Sequence, residues 1–232
     1  MITTNNYKIP LFMTDRYANL SLRNIASLMF DVSFAQAAVV EADLDMEKLR
    51  WIVYSWDLEI DQPIKAGDQV EVTTRSIDMK KFYAYRDFYI KRAGKTIARA
   101  YVVFLLVDID RMRPVKISDK IMLAYGKEEA SYIGRKLNYL DDFTNQKEIQ
   151  IRRSDIDTNF HVNNAVYFDY VSDLIDLDSK DISYINIVYK NEIRNKDKFI
   201  GEYVEDNGEI DFRFKSSYDN TIFTYGKVIK NV

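Results

Sequence analysis

No cysteine occurs in this 232-residue chain, and it has one histidine, His161. Disulfides, thiolate metal sites and cysteine nucleophiles are therefore excluded. A zinc site would need mostly carboxylate ligands, so no metal is expected. Proline (3) and glycine (7) are scarce, which argues against disorder and long flexible linkers. No apolar run reaches the ~18 residues of a membrane span. The first residues, MITTNNYKIP, lack the charged start and apolar core of a signal peptide. The expected location is the cytoplasm. A nucleic-acid-binding surface would show an excess of lysine and arginine, and the formal net charge of -3 gives none.

What the chain does have is apolar and aromatic bulk. Hydrophobic residues make up 47%, and tyrosine occurs 17 times. Such side chains suit the pleated, half-buried surface of a sheet. Ile52, Tyr54, Trp56, Leu58 and Ile60 alternate with period two and predict a strand with all five on one face. A turn-rich segment, DQPIKAGD (61–68), follows. Further strands are expected at 69–77, 82–91 and 96–108, the last being the most apolar, and then at 146–153, 183–193, 198–205, 209–216 and 221–229. Asn207-Gly208 is a hairpin-turn pair. Only two long segments read as helices, roughly 20–40 and 162–176. In the second, Val162, Ala165, Val166, Tyr170, Val171 and Leu174 keep the spacing of a buried helical face.

Each half therefore runs strand, long helix, antiparallel strands. The expected units are 1–110, a linker with a short helix at 111–145, and 146–232. A weak internal repeat supports the division. A shift of 140 residues lays Asp15 on Asp155, Asn19 on Asn159 and Asn24 on Asn164. It sets Ser21 opposite His161 and Tyr17 opposite Asp157. A slightly different shift lays WDLEI (56–60) over YKNEI (189–193), with Glu59 opposite Glu192.

The segment with most chemistry is DIDTNFHVNNAVY (155–167). Asp157, Asn159 and His161 are spaced by two ahead of a helix. In an extended loop, one carboxylate, one amide and one imidazole would face a common space. Asn163 and Asn164 follow at the helix start, where free backbone N–H groups can receive an oxyanion. An acid and an amide in this place are also ordinary N-caps.

The pattern D-x-N-x-H-V-N-N-x-x-Y (157–167) resembles the signature of the acyl-acyl carrier protein thioesterases of bacteria and plants. YKNEI (189–193) is similar to the family's segment that carries a glutamate, and DLEIDQPIKAGDQVEV (57–72) resembles its first-half hairpin. The resemblance runs over nearly the whole chain. It implies an α+β double hotdog, two antiparallel sheets each wrapped around a long helix. It also implies hydrolysis of fatty acyl thioesters of acyl carrier protein, without a cofactor, at Asp157, Asn159, His161 and Glu192. Plant members have a cysteine after the glutamate. Ile193 stands there in this chain, so a papain-like mechanism is excluded.

The chemistry expected is an activated water or a carboxylate nucleophile. In the first form, Glu192 with His161 deprotonates the water, and Asp157 and Asn159 hold the imidazole and the thioester. The helix start at Asn163 and Asn164 receives the oxyanion. An unperturbed imidazole titrates near about 6.5, which suits proton transfer to the leaving thiolate. Met29, Phe30, Phe34 and Trp56 are candidates for an acyl pocket, although apolar helix residues are usually core. Arg152, Arg153, Lys190, Arg194, Lys196 and Lys198 are candidates for meeting an acidic carrier protein, although such runs are usually solvated. An acyl-CoA thioesterase, a hotdog 3-hydroxyacyl dehydratase and a non-catalytic acyl-thioester-binding module are the alternatives, and a homodimer is an open expectation.

Overall fold

A computed structural model describes residues 1–194 and 197–231. Lys196, of the basic run noted above, lies outside the described residues. The first half comprises β1 (Ile2–Lys8), α1 (Leu22–Val40), β2 (Leu49–Ile60), β3 (Gln69–Lys80), β4 (Tyr83–Arg92), β5 (Lys95–Asp108) and the short β6 (Arg113–Pro114). A short helix, α2 (Asp119–Tyr125), follows. The second half comprises β7 (Asn145–Ile149), α3 (Val166–Ile175), β8 (Ile182–Tyr189), β9 (Phe199–Asp206), β10 (Glu209–Ser216) and β11 (Ile222–Lys230). The strands form one antiparallel sheet in the order β1-β3-β4-β5-β2-β8-β11-β10-β9-β7, with β6 on β5. The architecture is the α+β double hotdog. No helix among the described residues is long and apolar enough to cross a membrane.

The halves join where β2 pairs with β8, from Ser55↔Val188 to Glu59↔Tyr184. Inward residues there build the core. Trp56 is fully buried, with Phe30 of α1 at 5.0 Å on one side and Phe168 of α3 at 5.8 Å on the other. Outward residues at the same seam are polar. Tyr184 donates its hydroxyl hydrogen to Asp57, and Asn186 Nδ2 donates to the Trp56 carbonyl at 2.9 Å. The connecting segment lies over them. Arg135 N–H reaches Asp57 Oδ1 at 3.3 Å, Arg135 Nη2 reaches Glu59 Oε1 at 2.7 Å, and Tyr139 donates to Asn186 Oδ1 at 2.8 Å. Gly134 passes so close that a Cβ there would stand 2.5 Å from Asp57 Oδ2, so a larger residue would have to displace the Asp57 carboxylate.

Three expectations are corrected. The first concerns the strand expected ahead of the first helix, which was given no residue range and is β1. Its residues ITTNNYK are mostly polar, so no apolar period-two signal marks them, and it pairs along the edge with β3. The second concerns the alternation from Ile52 to Ile60, which does not hold throughout. A bulge between Val53 and Ser55 exposes Ile52 and Tyr54 while Val53, Trp56, Leu58 and Ile60 are buried. The third concerns two spans in the second half. Helix α3 begins at Val166 rather than 162, because Val162 is still bridged to Ile156. Strand β8 ends at Tyr189, which leaves Glu192 on a loop.

The seam generates a pH prediction. Burial raises the pKa of Asp57, against the hydrogen bonds from Tyr184, Arg135 and Asn186. A carboxyl raised by folding binds its proton more tightly in the native state. It therefore contributes most stability below its unfolded value and loses that contribution as pH rises through the folded value. Asp57→Asn abolishes this titration. The unfolding free energy of the variant, relative to wild type, is expected to improve between pH ~4 and pH ~7 in urea denaturation. A pH-independent difference would refute it.

Candidate active site

The motif loop is built by its own hydrogen bonds. Asp155 is buried and accepts from the Arg152 N–H at 2.8 Å and from the Tyr170 hydroxyl at 2.8 Å. The chain then turns instead of extending. Asp157 N–H donates to the His161 carbonyl at 2.9 Å and Phe160 N–H to the Asp157 carbonyl at 3.1 Å, with Phe160 at φ 63°. Asp157 Oδ1 accepts from Asn159 N–H at 2.8 Å, which makes an Asx turn. The turn separates residues that an extended loop would align. Asp157 and Asn159 line a cavity, whereas His161 Nε2 pairs with Glu192 Oε2 at 3.0 Å. The imidazole is therefore oriented by Glu192, and among the described residues neither Asp157 nor Asn159 bonds to it.

The two asparagines divide their tasks. Asn163 N–H donates to the Asp155 carbonyl at 2.9 Å, and Asn163 Oδ1 accepts from Ala165 N–H at 2.9 Å. Asn163 thus closes an Asx turn just ahead of the helix, whose N-cap is Ala165. Among the described residues the Asn164 N–H has no acceptor, while the Asn164 carbonyl accepts from the Tyr189 hydroxyl at 2.8 Å.

The cavity has a volume of about 230 Å³ and draws on both halves. Asp157, Asn159, Asn163 and Asn164 come from the second half, and Phe30, Phe34, Val53 and Phe104 are among the apolar wall residues of the first. Phe34 sits at an exposed position on α1 and stacks on Phe30 at 6.0 Å. Met29 and Trp56 are fully buried and lie outside this lining, in the core.

Arg86 is among the lining residues missed from sequence. Arg86 is buried, and its Nη1 donates to Gln36 Oε1 at 2.6 Å and Thr74 Oγ1 at 3.0 Å. Burial lowers its pKa to about 10, against the pull of Tyr125, Glu41 and Asp87. The signal was available, since Arg86 shares the inward register of β4 with Ala84, Phe88 and Ile90.

The repeat is real, but its register differs from the one expected. Asp15 N–H donates to the Asn19 carbonyl at 2.7 Å, as Asp157 N–H does to His161. Ala18 has φ 60°, as Phe160 has 63°. Leu20 N–H meets the Ile64 carbonyl as Val162 N–H meets that of Ile193, and Asn19 bridges Lys65 as His161 bridges Arg194. Asp15 is therefore opposite Asp157, Asn19 opposite His161, and Pro63 opposite Glu192. The expected opposites Tyr17, Ser21 and Glu59 are not the counterparts. Glu59 lies on β2 between Arg99 Nε at 3.0 Å and Arg135, whose guanidiniums outweigh burial and hold its carboxyl below the usual range. The first half keeps the acid but lacks the imidazole and the second carboxylate. Its acid is also bound, since Ser179 donates to Asp15 Oδ2 at 2.7 Å, and its neighbours are engaged too, Arg16 with Asp178 at 2.8 Å and the Tyr17 ring with Lys180 at 3.5 Å from its centroid.

Two family models match the chain. Residues 1–125 match the family model of the acyl-ACP thioesterase N-terminal domain, and residues 139–231 match that of the C-terminal domain. The chain is 26% identical over 205 residues to the oleoyl-acyl carrier protein thioesterase 1, chloroplastic, of Arabidopsis thaliana, which covers 76% of this chain and 56% of that protein. The chain spans about half the length of the curated relatives it matches. Among solved structures, an acyl-ACP thioesterase from Bacteroides thetaiotaomicron superposes with a TM-score of 0.88 at 19% identity, covering 99% of this chain and 98% of that one. The 12:0-ACP thioesterase from Umbellularia californica superposes with a TM-score of 0.86 at 18% identity, covering 99% and 97%.

The cavity carries its own prediction. Ala37 lines it, so Ala37→Trp is expected to weaken binding of a fluorescent long-chain fatty acid at least about tenfold by overfilling the space. Leu123→Trp, at an exposed position of α2, is the control and should bind as wild type. Equal affinity of all three proteins in a fluorescence titration would place the ligand elsewhere.

Proposed function

The chain belongs to the acyl-ACP thioesterase family, and we propose that it hydrolyses fatty acyl thioesters of acyl carrier protein, releasing free fatty acid and ending chain elongation. One observation carries this reading. Asp157, Asn159 and Asn164, whose N–H is unpaired among the described residues, line the same cavity as an apolar wall from the other half. The wall suits an acyl tail, and the polar end suits the thioester.

In the proposed reaction Asp157 takes a proton from water as the water oxygen attacks the thioester carbon. Asn159 holds the Asp157 carboxylate, and the Asn164 N–H receives the oxyanion of the tetrahedral intermediate. Collapse breaks the carbon–sulfur bond. His161, oriented by Glu192, gives a proton to the departing thiolate, and solvent then carries the proton held by Asp157 back to the imidazole. Water and thioester are consumed, and carboxylic acid and thiol are released. Asp157 replaces Glu192 as the proposed base because Asp157 faces the cavity. The alternative carrier is coenzyme A. Acyl carrier protein is favoured by the basic residues near the motif, of which Arg153, Lys190, Arg194 and Lys198 are not buried. A cytoplasmic location belongs to the same proposal, although the plant relatives are named chloroplastic.

Two measurements test it. His161→Ala and Asp157→Asn are each expected to lower thiol release from acyl carrier protein at least about 100-fold. Asn19→Ala and Glu59→Gln, which alter the first-half counterpart and the strap, should stay within about threefold. Collapse of turnover in folded Asn19→Ala would move the site to the first half. Second, kcat/KM is expected to be higher for acyl carrier protein than for the matching acyl-CoA, with the gap narrowing as salt rises. Preference for acyl-CoA at low salt would reassign the carrier.

A further inference from the structure

We propose that Tyr189 is a positioning residue that sets the oxyanion donor, by anchoring the Asn164 carbonyl so that the Asn164 N–H points into the cavity. The inference rests on the hydrolase reading above and extends it to a residue outside the motif. The geometry is a matter of two peptide planes. The plane holding the Asn164 N–H also holds the Asn163 carbonyl, which accepts from Val166 N–H at 2.9 Å. The next plane holds the Asn164 carbonyl, which accepts from the Tyr189 hydroxyl at 2.8 Å. With both planes fixed and Asn163 N–H bound to Asp155, the free N–H has one direction. A donor held in place before reaction does not have to reorganise as charge develops.

Tyr189 is itself well seated. It is the last residue of β8, and the Tyr167 ring of α3 meets it edge-on at 5.0 Å. Burial of the hydroxyl pushes its pKa well above the ordinary value, so it stays a donor at any working pH. It also lies three residues before Glu192, so one strand end serves both the oxyanion donor and the carboxylate that orients His161.

The internal repeat separates function from folding. In the first half Ile60 stands where Tyr189 does, and Leu22 where Asn164 does. Both are buried apolar residues. An apolar contact therefore suffices to pack the strand end against the helix start, and the hydroxyl occurs in the half that carries His161.

The test is Tyr189→Phe in the full chain, assayed with acyl carrier protein substrate. Expected results are a kcat about tenfold lower, a KM within about twofold, and a thermal melt close to wild type. Two inhibitors report whether the loss is confined to the oxyanion. A trifluoromethyl ketone analogue, which forms a tetrahedral oxyanion, should bind about tenfold more weakly to the variant. A thioether analogue without a carbonyl should bind equally to both. Unchanged kcat, or an equal loss of affinity for both analogues, overturns the proposal and leaves Tyr189 a packing residue. Wild-type protein that releases no thiol overturns the hydrolase reading itself, and this proposal with it.

Discussion

The backbone pairing of β2 with β8 is the constraint on which the rest of the structure depends. Five residue pairs, from Ser55↔Val188 to Glu59↔Tyr184, turn two half-sheets into one. On the inner side they set Trp56 between the two helices. On the outer side they put Asp57, Tyr184 and Asn186 under the strap. The inner and outer layers follow from the period of two along a strand. The same pairing brings the loop of one half against the wall of the other, so the cavity exists only while the seam holds.

The two halves show how one loop geometry serves two ends. The turn at Asp15 and the turn at Asp157 have the same backbone bonds and the same left-handed residue. What differs is side chains, among them Asn19 for His161, Pro63 for Glu192, Leu22 for Asn164 and Ile60 for Tyr189. In the first half the acid accepts Ser179 and becomes part of the joint between halves. In the second half the acid keeps a face toward the cavity. The shared backbone explains the weak repeat in the sequence, and the divergent roles explain its weakness.

Much of the fold was legible because apolar periodicity is strong in the interior. The helix expected at roughly 20–40 is Leu22–Val40, and the strand expected at 209–216 is Glu209–Ser216. The features that escaped are those set by backbone detail. A polar edge strand has no apolar period, a bulge at Tyr54 shifts the face of what precedes it, and a turn at Asp157–Phe160 undoes the alternation assumed for the motif. The repeat was visible but out of register, by two residues at the loop, where matching identities favoured Asp155 over Asp157, and by four at the strand end, where Glu59 was laid on Glu192. Resemblance to a family named Asp157, Asn159, His161 and Glu192. The sequence did not say that they fall into a cavity pair and an imidazole pair, nor that Tyr189 and Arg86 stand beside them.

The strap that ties Arg135 and Tyr139 to the seam has a kinetic consequence. Were the halves separate chains, the seam would form by collision, and dilution would dissolve the cavity along with it. Joined through residues 126–144, the second half meets the first at an effective concentration fixed by the tether rather than by the amount of protein in solution. Assembly of the cavity becomes first order, and its population is the same in a dilute sample as in a crowded one.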